Sequence, residues 1–287
     1  MLRYQRALAL ALMLICCLIA PLCALAEIDL EYVRLTAAIR HSPEDPNTYY
    51  ERGLYLQIAT RYEESVEDLT RAIELDGSDA NYYDERSWSL HLMGRYDEAL
   101  ADLAHALTLV EGNIVDTAYL LYSRAITLNA LGRYIDALDA IDEAISLDAT
   151  DAAYFAERSW SLSGLTRYED ALTAINEAIA LDGTRARYYQ SRGTFYYHLG
   201  RYAEALIDET EAIRLDGAIA MRHHSRGLTL LELGRYGDAL HDFNNAIDLD
   251  DTDPEFFYAR ADALEALGRR QEADADRDHA AALYNSR

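Results

Sequence analysis

Apolar and polar positions along the chain follow two alternating helical patterns that return with a fixed period. In the first, Tyr83, Arg86, Ser87 and Leu90 fall at i, i+3, i+4 and i+7, the spacing of one helix face. In the second, Tyr96, Ala99, Leu103 and Ala106 share a stripe whose small alanines allow close helix approach. Gly94 and Arg95 break the two apart. The arginine of that break recurs as Arg61, Arg95, Arg133, Arg167, Arg201, Arg235 and Arg269, at spacings of 34, 38, 34, 34, 34 and 34. Alanine stands four residues later in six copies, with Ser65 in the first, and eleven residues later in every copy from Ala72 to Ala280. Asp45, Asp79, Asp151 and Asp253 precede first helices as N-caps, and Pro46 and Pro254 suit a first helical turn. Helix–turn–helix units of this length cannot bury their apolar faces alone, so the pattern predicts a stacked solenoid.

The period is imperfect in three places. The second copy is four residues longer, around residues 110–117. This reads as a longer loop. Alternatively, four residues add about one turn to that copy's second helix, making Val110, Ile114 and Val115 a small exposed apolar patch. Residues 27–45 read as a lone second helix covering the first repeat, because Ala38, Ile39 and Pro43 keep the repeat phase. In the last copy Arg270 replaces the tyrosine and Arg277 a later apolar residue. A polar outer face is what a terminal repeat needs, so the solenoid is predicted to end there with no second domain.

Residues 1–26 are different. Arg3 and Arg6 precede an apolar run over residues 7–20, and Ala24, Leu25 and Ala26 close it with small residues. That order predicts a signal peptide cleaved after Ala26, and hence an exported protein, periplasmic or extracellular. The alternative is an uncleaved anchor, since residues 7–26 barely suffice to span a bilayer. The membrane would then be a partner only through this segment. All three cysteines, Cys16, Cys17 and Cys23, lie inside it. The exported chain would therefore hold no disulfide, zinc thiolate or cysteine nucleophile.

Of the 287 residues, 50 are acidic and 26 basic, for a formal net charge of −24, and every basic residue is arginine. So negative a chain repels phosphate backbones, so no nucleic-acid partner is expected. Without lysine there is no Schiff base and no P-loop. Gly-rich phosphate loops, nucleophile elbows and His-Glu-x-x-His are absent. The adjacent His223 and His224 point in different directions on a helix, and acidic runs such as residues 248–253 lack the glycine and closing glutamate of a calcium loop. No cofactor, metal site or catalytic residue is predicted, and the chain is not expected to be an enzyme. Arginine also holds the seventh position of each copy: Arg52, Arg86, Arg124, Arg158, Arg192, Arg226 and Arg260. A phosphate-binding ladder is conceivable. Such regularity fits a repeated structural role better, pairing with aspartates such as Asp68, Asp102, Asp208 and Asp242.

The 34-residue phase, with Gly-x-Tyr-x-x-Ala and the later alanine, resembles the tetratricopeptide repeat. The resemblance implies an all-α, right-handed superhelical solenoid of seven helix–turn–helix repeats, at residues 46–79, 80–117, 118–151, 152–185, 186–219, 220–253 and 254–287, behind an N-terminal capping helix at 27–45. There are departures. The family's proline after the second helix is Gly77, Glu111, Ala149, Gly183, Gly217 and Asp251 here, and Glu209 occupies an aromatic core position, which implies looser packing of the fifth repeat.

The resemblance also implies that first helices line a concave groove whose variable positions grip a partner protein. Carried over by position, the groove residues are Tyr50, Trp88, His91, Tyr119, Tyr122, Asn129, Trp160, Arg187, Tyr197, His198 and His224. Rings and amides suit an extended or helical peptide segment. The carboxylate clamp of some family members is absent, since its positions hold Tyr50 and Leu54, Asp84 and Trp88, Tyr122 and Ile126, and Ala156 and Trp160. For Trp88 and Trp160 the alternative is packing between helices. The implied function is an exported, non-catalytic scaffold for protein–protein interaction. The alternative is a structural subunit of a cell-envelope complex, held through its convex face or termini.

Overall fold

The computed structural model describes residues 21–285. The basic and apolar parts of the expected signal peptide, residues 1–20, lie outside the described residues. Fifteen helices and no strand occur among the described residues. They are α1 (Pro21–His41), α2 (Pro46–Ile58), α3 (Tyr62–Leu75), α4 (Ala80–Leu92), α5 (Tyr96–Leu109), α6 (Ile114–Ala130), α7 (Tyr134–Leu147), α8 (Ala152–Gly164), α9 (Tyr168–Leu181), α10 (Ala186–His198), α11 (Tyr202–Leu215), α12 (Ala220–Glu232), α13 (Tyr236–Leu249), α14 (Pro254–Ala266) and α15 (Arg270–Asn285). None is long and apolar enough to cross a membrane.

Two compact units divide the chain, residues 1–133 and 134–287, and the division falls inside the third repeat. In the first unit α2 pairs with α3 and α4 with α5, each pair packs on the next, and α1 lies against α2. In the second unit α8 pairs with α9, α10 with α11, α12 with α13 and α14 with α15, again in sequence. This consecutive stacking of antiparallel pairs is the solenoid arrangement that the period predicts.

Local chemistry explains the boundaries. Asp45, Asp79, Asp151 and Asp253 each accept a hydrogen bond from the backbone N–H two residues on, so these four N-caps satisfy otherwise orphaned donors. The turn within each pair places one residue at positive φ. It is glycine at Gly94, Gly132, Gly200, Gly234 and Gly268, but threonine at Thr60 and Thr166. After the second helix, where the family's proline is missing, an aspartate takes over. Asp76, Asp148, Asp182 and Asp250 accept both the backbone N–H and the hydroxyl of the Ser or Thr two residues later. At Asp182 the bond from Thr184, with Arg185 beside it, lowers the carboxyl to about 2.

The repeated arginines have the structural role expected. Arg52, Arg86, Arg192, Arg226 and Arg260 each fork onto an aspartate sixteen residues later on the partner helix: Asp68, Asp102, Asp208, Asp242 and Asp276. Several also reach back to the preceding repeat, at Thr36, Thr70, Asn176 and Asn244. The ladder fails in the middle, where the partner register holds Ala140 and Ala174. Arg124 is exposed, and Arg158 turns to the exposed Asp142.

One expectation needs correction. The four extra residues extend neither a loop alone nor the second helix of repeat two. α5 has the standard fourteen residues, whereas α6 has seventeen against thirteen in other first helices. Gly112 at φ 89° makes the turn and Asn113 caps the added helical turn. Ile114 and Val115 are exposed there, while Val110 packs against the core. In the fifth repeat Glu209 does take the core position. Its side chain is buried and bonded to Thr229.

Candidate functional site

Each unit has its own candidate face, formed by its first helices. On the first unit, the ring of Tyr50 lies 5.2 Å from that of Tyr82. Trp88 is half-buried and stacks flat on His91, 5.3 Å between centroids and 3° between planes. His91 in turn meets the edge of Tyr96, and its Nδ1 lies 3.2 Å from Thr127 Oγ1. Burial lowers the His91 pKa, so the neutral ring is favoured. Tyr119 and Tyr122 lie 6.4 Å apart on α6. Asn129 is buried and belongs to the interior of the repeat.

Where α6 begins, a cavity of about 410 Å³ opens among Asp76, Asp79, Asn81, Asp84, Val110, Asp116 and Tyr119. Tyr119 is the one predicted site residue that lines it. The cavity follows from the extra turn of α6, which sequence reasoning assigned elsewhere. Three of its acids have local structural roles. Asp76 and Asp79 hold turns, and Asp116 accepts from the capping Asn113.

On the second unit, Trp160 is 57% exposed. Arg187 is exposed, with its guanidinium 5.1 Å from the Tyr188 ring. Tyr197 meets the edges of Tyr202 and His198, and burial raises its phenol. His198 is exposed and stacks on Tyr168 at 4.8 Å. His224 sits between Phe243 and Phe256, and burial lowers its pKa. The neighbouring His223 points elsewhere, its Nε2 3.1 Å from Gly217 O. The predicted residues therefore sort by access. Trp160, Arg187 and His198 face solvent, Tyr50, Trp88, Tyr119, Tyr122 and Tyr197 are half-open, and Asn129, His91 and His224 serve packing. Among the described residues, no group of three or more His, Cys, Asp or Glu could hold a metal ion.

These features coincide with known repeats. Tetratricopeptide repeat families match residues 46–79 and 157–218, and a TPR repeat family matches 227–268. No curated protein sequence matches the chain. Among solved structures, a chain of the APC/C hetero-tetramer Cut9-Hcn1 is similar at TM-score 0.72 and 16% identity, over 83% of this chain and 46% of that one. A tetratricopeptide repeat protein from Parabacteroides merdae is similar at TM-score 0.68 and 17% identity, over 83% and 93%. MamA is similar at TM-score 0.53 and 18% identity, over 56% and 95%. This chain thus spans less than half of the matched Cut9-Hcn1 chain. The likenesses show the fold. With the family matches and the register of helix pairs, they make the chain a tetratricopeptide repeat protein.

Proposed function

We propose that the protein is a non-catalytic scaffold that binds a segment of another protein on its first-helix face. Trp160 carries the reading. A tryptophan 57% exposed on a helix face is the kind of rigid aromatic anchor that dominates protein interfaces. Arg187, Tyr197 and His198 lie on the first helix of the next repeat and supply a cation, a ring and a ring nitrogen. That mixture suits a peptide of modest charge. We also propose that the protein is exported, its leader ending at Ala26. The supporting observation is the order of basic, apolar and small residues over residues 1–26.

The test is capture of partners from an envelope extract, followed by titration of an identified partner segment against wild type and Trp160→Ala. A loss of affinity of at least about tenfold supports the reading. Unchanged affinity would overturn it. Intact mass of the secreted form should begin at Glu27, and retention of Met1 would assign a tether instead. A second reading, an assembly subunit held outside this face, is favoured by Ile114 and Val115, which are exposed on the extra turn of α6. Ile114→Ser combined with Val115→Ser would then abolish capture while Trp160→Ala leaves it intact.

A further inference from the structure

One buried acid in the second unit has no place in the repeat pattern. The register of Glu209 holds Leu69, Leu103, Ile141, Ile175 and Phe243 in five other repeats, all fully buried, and Arg277 in the terminal one. Glu209 is itself only 3% exposed. Thr229 on α12 donates to its Oε1 at 2.9 Å, while Oε2 has no hydrogen-bond partner. α10 closes the other side, since a Cβ on Gly193 would lie 3.0 Å from Glu209 Cγ.

The charges around it are already committed. Arg226 of α12 forks onto Asp242 of α13, and Asp208 of α11 is forked by Arg192 of α10. His223 of α12 places Nδ1 3.6 Å from Asp242. Tyr197 of α10 feels both Glu209 and Glu232 of α12. Each nearby arginine is thus matched by its own aspartate, and an ionised Glu209 adds one negative charge with no ion-pair partner of its own to a buried joint. Such a charge is far costlier to bury than a neutral carboxyl.

We propose that Glu209 is a proton-operated latch: protonated, it lets α10, α11 and α12 pack as their neighbours do, and ionised, it loosens the joint between repeats five and six. The latch stands whether or not a partner uses this face. Burial pushes the Glu209 carboxyl up to about 8. The unfolded side chain loses its proton near the ordinary value of 4.5. Between these values the packed state holds a proton that the opened state releases. Rising pH therefore favours opening by about tenfold per unit, levelling off above the packed value.

The experiment is amide hydrogen exchange on the whole protein at pH 5.5 and 7.5, with protection in α10–α12 referenced to α2–α4 in the same sample. Wild type should lose at least about tenfold in relative protection across that interval. Glu209→Leu, which restores the residue of the first two repeats, should lose none. Glu209→Gln should likewise remove the pH dependence while keeping an amide beside Thr229. Equal pH dependence in wild type and both variants, or none in wild type, would overturn the latch.

Discussion

Residues 85–90 and 157–162 are the same six, Glu-Arg-Ser-Trp-Ser-Leu, each on a first helix and in the same register, yet they live in different surroundings. Trp88 is covered by His91, whereas the residue one turn beyond Trp160 is Ser163 and the indole stays exposed. Arg86 forks onto Asp102 and reaches Thr70, while Arg158 meets Ala174 in that register and turns to Asp142. The turn after α4 has Gly94 at positive φ, and the turn after α8 has Thr166. An identical segment therefore guarantees the helix and its phase. Whether its tryptophan is structural or available is decided by residues outside it.

The largest expected contrast is in the ion pairs. Side chains of Arg86 and Asp102 are 19% and 9% exposed, against 33% and 47% for Arg158 and Asp142. Asp102→Ala strands a largely buried guanidinium and should cost about 3 kcal/mol. Asp142→Ala removes an exposed pair and should cost less than about 1 kcal/mol. Denaturant unfolding of both variants checks the ratio, and equal costs would mean that the two segments are energetically alike.

The tryptophans come next. Trp88→Ala should lower stability by about 2 kcal/mol, because it removes a half-buried, stacked ring. Trp160→Ala should leave stability within about 0.5 kcal/mol, as for other exposed surface changes. Thermal unfolding of the two variants separates them.

This contrast marks how far the sequence could be read. The period, the capping aspartates and the Arg–Asp ladder were legible because each depends on residues at fixed offsets within one or two repeats. Where the ladder breaks is legible too, from Ala140 and Ala174. The exposure of Trp160 depends on Ser163 lacking a ring and on Tyr168 already stacking with His198 from the next repeat. The direction taken by the extra turn depended on Gly112 and Asn113, whose turn and cap chemistry assigns those four residues to α6. Glu209 stood out as a mismatch, but its burial required the Gly193 surface that accommodates it.

The helix-ending turns offer a smaller test. A residue with a Cβ at positive φ costs about 1–2 kcal/mol, and glycine recovers this less its greater freedom when unfolded. Thr166→Gly should therefore stabilise by about 0.5–1 kcal/mol. Gly94→Thr should destabilise by about 1 kcal/mol, although no neighbour crowds its Cβ position. If both are neutral, the turns differ in sequence but not in strain.

The finest test exchanges the residue one turn beyond each tryptophan. His91→Ser in a Trp160→Phe background should uncover Trp88 and shift its emission to the red. Ser163→His in a Trp88→Phe background should cover Trp160 and shift its emission to the blue, since the new ring would stand where His91 stands in the other copy. A stacked pair of this kind is worth about 0.5–1.5 kcal/mol. His91 adds a pH signature. Its folded pKa lies below the ordinary 6.5 because of burial, so the packed form binds a proton less readily than the unfolded one. The stability of the neutral stack is present above about 6.5 and is lost as pH falls towards the folded value. Wild type should therefore lose more stability than His91→Ser between pH 7 and 5. A stack indifferent to acid would show that Trp88 is covered by Tyr96 and the α6 helix rather than by the imidazole. The difference between the two copies would then lie in the repeat that follows each of them.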